Sequence, residues 1–326
     1  MSNLIKTQVI GIDVGVERTT YAIVDIRGTI IARDSFHTHE FPDVNNFVTG
    51  LAERIIMLAE ANGGIQNIRS VGISAPSANF LTGCIENAAN MPWKGIIPLA
   101  AMLRDRIGLA VALGNDAHVS ALGEKVYGSA HGMQDFIVIS LGHGGVGSCV
   151  FSNGHPHLGA HGSAGEVGHT CVEDGGRLCG CGRRGCLEEY ASDRGLEKTA
   201  RELMAETDEP SMMRNLGSLT PQAIGLCCDQ GDRLAQEVYR RTGFMLGIGL
   251  ANYASIVNPE AIILTGELTA AGKWLYGPTQ ESFEQHVFHN IRNKVKLVIS
   301  ILDDHERDVL GASALAWDVK EYSLFK

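Results

Sequence analysis

The sequence predicts an α/β protein of two lobes. Its 326 residues exceed what one hydrophobic core usually covers. A strand–glycine-turn–strand unit opens the chain at residues 9–24, and a second begins about 130 residues later, at Phe136. The strands lead into alternating helix and strand signals, the mark of α/β layers.

The elements follow in order. Val9 to Asp13 is an apolar strand, Gly15 to Arg18 a turn, and Thr20 to Val24 a return strand. Asp25-Ile26-Arg27-Gly28 turns the chain into a third strand, Thr29 to Ser35. Val44 to Asn62 carries helical periodicity through Phe47, Leu51, Ile55 and Leu58, and stops at Gly63-Gly64. Ser70 to Ser74 is a short buried strand. Pro98 to Ile107 is a helix, Ala110 to Leu113 a strand and Ala117 to Tyr127 another helix. The second lobe starts with strand Phe136 to Leu141, a glycine turn Gly142 to Gly147 and strand Ser148 to Phe151. Residues 204–220 are polar and read as a surface connection. Asp232 to Val257 reads as one long helix. Its Gly243, Gly247 and Gly249 would weaken a free helix, which implies close backbone packing or a nearby ligand. Ala261 to Leu264 is a buried strand, and Val309 to Val319 a final helix expected to pack back on the first lobe. The boundaries expected are 1–122 plus 305–326 for the smaller lobe and 123–304 for the larger.

Composition excludes several classes. Hydrophobic residues are 44% and charged residues 20%, a globular profile. A formal net charge of -10 repels phosphate backbones, so nucleic acid is not an expected partner. Residues 1–6 are short and polar, so no signal peptide is expected, and Gly or charge breaks each apolar run before it could span a membrane. Of eight cysteines, Cys84, Cys149, Cys171, Cys227 and Cys228 are scattered, and Cys179, Cys181 and Cys186 crowd one loop. Clustered cysteines without an export signal suggest metal rather than disulfides, and a cytoplasmic location.

His169, Cys179, Cys181 and Cys186 form H-x9-C-x-C-x4-C, a Cys₃His set suited to tetrahedral structural zinc. Gly180, Gly182 and Gly185 let a tight loop wrap one ion. Four protein ligands leave no open position, so zinc would hold shape rather than perform chemistry. The plainer alternative is reduced surface thiols beside an unrelated histidine, but packing explains three cysteines in one short loop poorly.

Asn115-Asp116 follows a strand and opens a helix. A carboxylate there is either a helix N-cap or a catalytic base. Glu166 and His169 lie in a glycine-rich stretch, and Glu188 follows Cys186 by two. Phosphoryl transfer to a sugar hydroxyl needs a base near that hydroxyl and polar groups that hold the ring. The residue types suit this, but spacing alone does not bring them together.

Gly180-Cys-Gly-Arg-Arg-Gly-Cys-Leu-Glu188, the segment Gly159 to His169, Gly114-Asn115-Asp116-Ala117 and Asn90-Met91-Pro92-Trp93 together resemble the ROK family of repressors, open reading frames and kinases. The resemblance runs from Ile10 to about Ala316. It implies the actin-like ATPase (ribonuclease H-like) fold, with sugar in a cleft between two lobes. It implies Asp116 as general base, with Asn115, Glu166, His169 and Glu188 on sugar hydroxyls and Ser77, Asn79 and Asn90 as further sugar-side candidates. His169 would serve twice, one ring nitrogen on zinc and the other toward the sugar. Asp13, Gly15, Gly142, Gly144 and Gly266 would face ATP and Mg²⁺.

The nucleotide side departs from the family pattern. The first phosphate loop usually reads Asp-x-Gly-Gly-Thr, and here it is Asp13-Val14-Gly15-Val16-Glu17. The second usually carries Leu-Gly-Thr-Gly. Here it is Leu141-Gly142-His143-Gly144, with one extra residue before Val146. The adenosine motif, usually glycines, is Thr265-Gly266-Glu267. A carboxylate near a triphosphate is repulsive unless it turns away or meets magnesium, while Glu267 could instead bind a ribose.

The expected function is therefore ATP-dependent phosphorylation of a hexose or N-acetylhexosamine, at the 6-hydroxyl by family resemblance, in a homodimer or larger assembly. A sugar-binding protein with weak or lost turnover is the alternative. A transcriptional regulator is a minor one, because the first hairpin begins near Gln8 and leaves no room for a DNA-reading domain. His131, His155, His157 and His161 read as loop histidines. Met212-Met213 and Cys227-Cys228 read as packing residues, and Trp93 as core or cleft wall.

Overall fold

Gln8–Val14 (β1), Arg18–Asp25 (β2) and Ile30–His37 (β3) pair in an antiparallel meander, with Ile10 opposite Ile23 and Asp13 opposite Thr20. The computed structural model describes residues 6–88, 90–142, 145–160, 164–303 and 306–319. Helix α1, Val44–Ala61, starts where Asp43 accepts a hydrogen bond from the Asn46 N–H. It buries Phe47, Leu51 and Ile55, the periodic face seen in the sequence. Strand β4, Ile68–Ala75, runs parallel to β1. The short strands β5 (Ala78–Asn79), β6 (Cys84–Glu86) and β7 (Ile96–Ile97) form a small antiparallel sheet. Helix α2, Leu99–Ile107, ends at Gly108, whose φ of 68° suits a left-handed cap. Strand β8, Ala110–Asn115, lies parallel to β4, and α3, Asp116–Val126, follows at once. The sheet order is β3-β2-β1-β4-β8. Trp93 belongs to this core. It is buried, its ring lies 4.4 Å from that of Phe47, and its Nε1–H donates to the Phe41 carbonyl.

Phe136–Gly142 (β9), Gly145–Ser152 (β10) and His155–Pro156 (β11) begin a second sheet. The glycine turn expected over 142–147 is shorter, because β10 already begins at Gly145. Gly142 pairs with Gly145 and Leu141 with Val146, since glycine amides and carbonyls serve a ladder as well as any others. Helices α4 (Glu188–Ala191), α5 (Asp193–Glu206), α6 (Pro221–Asp229) and α7 (Arg233–Val257) come next. The stretch 204–220 is less superficial than its polarity suggests, with Met213 and Leu219 buried. Asp232 caps α7 by accepting from the Leu234 and Ala235 N–H groups at 3.0 and 3.1 Å. Strand β12, Ala261–Thr265, helix α8, Lys273–His286, and strand β13, Lys296–Ile299, complete the sheet order β11-β10-β9-β12-β13. Close packing accounts for the glycines of α7. A β-carbon on Gly243 would lie 2.8 Å from Pro278 Cβ, on Gly247 2.5 Å from Ser282 Cβ, and on Gly249 2.7 Å from a Leu187 methyl.

The last helix, α9, Arg307–Asp318, returns to the first sheet as the sequence predicts. It lies directly on the strand backbones. A β-carbon on Gly11 would be 2.2 Å from the Val309 carbonyl oxygen, and one on Gly72 2.0 Å from that of Ala312. The chain thus divides into two units: residues up to His131 with those from Leu302 onward, and Gly132–Ile301. Among the described residues, no helix is long and apolar enough to cross a membrane.

Candidate functional site

In the first unit, three parallel strands deliver polar residues side by side at their carboxyl ends. Asp13 of β1 is in register with Ser74 of β4, and Gly114 and Asn115 of β8 sit beside Ser74 and Ala75. Parallel α/β sheets place their ligand crevices at this edge. Asn115 occupies the cap of α3. Its Oδ1 accepts from the Ala117 N–H at 3.0 Å, and Asp116 Oδ1 accepts from the same group at 2.8 Å. The capping position therefore belongs to Asn115, and Asp116 is the first helical residue with an exposed surface. Burial nevertheless raises the Asp116 carboxyl pKa, against the pull of the Ala117 N–H. Burial, then the charges of Asp308 and Asp116, push the Asp13 carboxyl well above its ordinary value, and a hydrogen bond with Ser74 opposes this. The structure thus gathers Asp13, Asn115 and Asp116 and adds Ser74 and Asp308. Sequence reasoning missed those two, because a serine in a buried strand and an acid in a helix's first turn are ordinary there.

Gly15 lies in the β1–β2 turn, where its N–H donates to the Arg18 carbonyl at 3.0 Å and its carbonyl accepts from Thr38 Oγ1. That amide is spent on the turn itself. Glu17 is exposed. Ser77 is exposed with φ of 54°, an uncommon backbone for a non-glycine residue, and its carbonyl accepts from the Glu86 N–H. Asn79 turns its side chain onto its own loop, where Oδ1 accepts from the Leu81 N–H. Asn90 is exposed in a turn.

In the second unit, the start of β10 is the meeting point. Glu188, first residue of α4, puts Oε2 3.1 Å from the Val146 N–H, and a β-carbon on Gly145 would lie 2.1 Å from the same oxygen. The turn Val167–His169, which Glu166 precedes, presses on the same residue. A β-carbon on Gly168 would lie 2.4 Å from the Val146 carbonyl oxygen. The Leu187 N–H donates to the Thr170 carbonyl at 2.9 Å, closing the ring of contacts. The turn that Glu166 precedes and His169 ends thus meets the same residue, Val146, as Glu188 does.

His169, Cys179, Cys181 and Cys186 place their ligand atoms within 4.8 Å of one another. His169 Nδ1 is 3.7 Å from Cys179 Sγ, and Cys181 Sγ is 3.6 Å from Cys186 Sγ. These separations match the edges of a tetrahedron with zinc–sulfur bonds of about 2.3 Å, so the donor set fits that ion. The backbone N–H of Arg183 leads in holding the Cys181 thiol down to about 6, whereas burial pushes Cys186 up to about 12.

Of the expected nucleotide residues, Gly142 ends strand β9 and Gly266 directly follows its parallel neighbour β12. Gly266, at φ of 94°, packs on Leu141, whose carbonyl oxygen would be 2.4 Å from an added β-carbon. Gly144 lies outside the described residues, as do His143 and His161. His131, His155 and His157 are exposed, whereas Met213, Cys227 and Cys228 are buried packing residues.

A model of the ROK family matches residues 9–319. The chain belongs to the ROK family. A glucokinase of Halalkalibacterium halodurans is 30% identical, over 96% of this chain and 94% of that protein. A xylose repressor of Bacillus subtilis is 28% identical, over 95% of this chain and 77% of the repressor. The crystal structure of a ROK glucokinase from Streptomyces griseus, with glucose and AMPPNP, superposes with a TM-score of 0.78 at 29% identity, covering 96% of this chain and all of that one. The ROK chain thus has the actin-like ATPase fold, each unit built on a five-stranded mixed sheet with helices.

Proposed function

We propose that this ROK protein is an ATP-dependent sugar kinase that phosphorylates a hexose or N-acetylhexosamine, at the 6-hydroxyl, with Asp116 as general base. The observation that carries the reading is the Asp13–Asn115–Asp116 grouping at the carboxyl ends of β1 and β8, where burial raises the Asp116 pKa. A carboxylate tuned upward is a better proton acceptor for an alcohol, and such a base contributes roughly 10²–10⁴-fold. Asn115, Glu166, His169 and Glu188 are assigned to sugar hydroxyls, with Ser77, Asn79 and Asn90 at the sugar's edge. Gly15, Gly142, Gly144 and Gly266 are assigned to ATP, and Asp13 to the magnesium that accompanies it. Bound magnesium would neutralise developing phosphate charge. His169, Cys179, Cys181 and Cys186 are assigned to a structural zinc ion that fixes the His169 ring and so the sugar pocket. The relatives named glucokinase support the class of reaction. Incubation with ATP, magnesium and a sugar panel is expected to release ADP and a phosphosugar. Absence of both with every sugar defeats the reading.

The acidic substitutions Glu17 and Glu267 in the nucleotide motifs favour a second reading, a sugar-binding protein with little turnover. Calorimetry separates the two: this reading predicts sugar affinity with no detectable ATP affinity.

A further inference from the structure

Gly142 and Gly145 face each other as a cross-strand pair at the end of the β9–β10 hairpin. Each has a carboxylate in the space its β-carbon would fill. Glu267 Oε2 is 2.0 Å from the β-carbon position of Gly142, and Glu188 Oε2 is 2.1 Å from that of Gly145. Glu188 is held by the Val146 N–H. Glu267 has no hydrogen-bond or ion-pair partner among the described residues, and it is exposed. Its backbone is nevertheless fixed. Gly266 is wedged on Leu141 at a φ of 94°, a conformation glycine adopts readily, so the turn that carries Glu267 is seated on β9. Next to it, Thr265 Oγ1 is buried without a partner among the described residues. This is the carboxyl end of parallel strands β9 and β12, where α/β sheets receive ligands.

We propose that Glu267 tunes nucleotide binding: a negative charge at the strand-end crevice that weakens binding of the nucleotide polyphosphate and makes it depend on a divalent cation. This rests on the assignment of Gly142 and Gly266 to the nucleotide. A polyphosphate reaching this hairpin meets the Glu267 charge in addition to that of Glu188. Like charges a few ångströms apart repel strongly unless a cation lies between them. Glu188 is committed to an amide, so Glu267 is the removable part of the repulsion.

The test is a calorimetric titration of ATP, with magnesium and with chelator, into the full chain and its Glu267→Gln and Glu267→Gly variants. Glu267→Gln keeps the shape and removes the charge. It is expected to tighten ATP binding about tenfold and to relax the requirement for magnesium. The gain is expected to shrink as salt rises, as a charge effect must. Unchanged affinity in Glu267→Gln overturns the proposal. So does weakened affinity, which would mean that the carboxylate accepts from the ribose. Tightening in Glu267→Gly alone overturns it too, because bulk would then be the cause. No ATP binding by any of the three proteins overturns it as well. Sugar affinity and melting temperature serve as folding controls. Because binding is read and not turnover, failure of the kinase assay leaves this outcome separately readable.

Discussion

Glu188 and Val146 are joined by a 3.1 Å hydrogen bond from the Val146 amide to the Glu188 carboxylate, and only a glycine at 145 leaves space for it. The acid at the head of α4 is thereby fixed on strand β10, which also supports the turn carrying His169. Gly145→Ala forces the carboxylate off and strains a backbone with φ of 120°. We expect a loss of about 1–3 kcal/mol in unfolding free energy. Sugar affinity is expected to fall about tenfold. Denaturant unfolding and calorimetry read the two effects. Normal sugar binding in a strained but folded variant would remove Glu188 from the sugar site.

Asp116→Asn is expected to lower phosphoryl transfer by roughly 10²–10⁴-fold while sugar affinity stays within about threefold. In the native protein the base must be ionised. Burial raises the Asp116 pKa, so the rate is expected to fall with decreasing pH earlier than an ordinary aspartate would dictate. A pH–rate profile of kcat whose acid limb lies at the ordinary aspartate value counts against this.

Zinc is expected at one equivalent per chain by metal analysis, and Cys181→Ser is expected to lose it. A loss of about 2–3 kcal/mol lowers the melting temperature of a chain of this size by roughly 3–4 °C. Full metal content in the serine variant would show that Cys181 is not a ligand.

Gly11 and Gly72 allow α9 to rest on the first sheet. Gly72→Ala drives a methyl into the Ala312 carbonyl, and we expect about 1–3 kcal/mol of destabilisation or more. Hydrogen exchange in α9 is expected to rise first. Unaltered protection there would mean that the helix is seated elsewhere.

His118 is buried, edge-on to Phe80 at 5.4 Å, and burial lowers its pKa to about 4. The fold holds it neutral, whereas the unfolded chain protonates it near 6.5. Its contribution is complete above about pH 6.5 and is lost as pH falls toward 4, by up to roughly 3 kcal/mol. Asp13, whose pKa is raised, works in the opposite sense, favouring the fold as pH falls. The difference between wild type and His118→Gln, followed by denaturant unfolding from pH 7.5 to 4.5, isolates the histidine. A constant difference across that range refutes the assignment.

Local signals served best where one element carried its own evidence. The apolar runs of β1 and β2, the periodic face of α1 and the long helix α7 carry their own signals, and the structure has them where expected, with Asp232 as the cap of α7 and not its first residue. Helix α8 is the counterexample. Gly277 and Pro278 within it erase the helical signal, and it forms because Gly243 and Gly247 of α7 accept its backbone. The short strands β5 to β7 are too brief to show a period at all.

The sequence by itself picked out the Cys₃His cluster, the five strands of the first sheet, strands β9, β10 and β12 of the second, and the acid that opens α3, because residue type and spacing suffice for these. Tertiary structure alone decided that Ser74 and Asp308 join Asp13, and that Glu188 and Glu267 each take the place of a missing glycine side chain. Those facts depend on the register between strands and on how closely backbones approach. Both are set by packing among segments far apart in sequence, and no local window of sequence contains them.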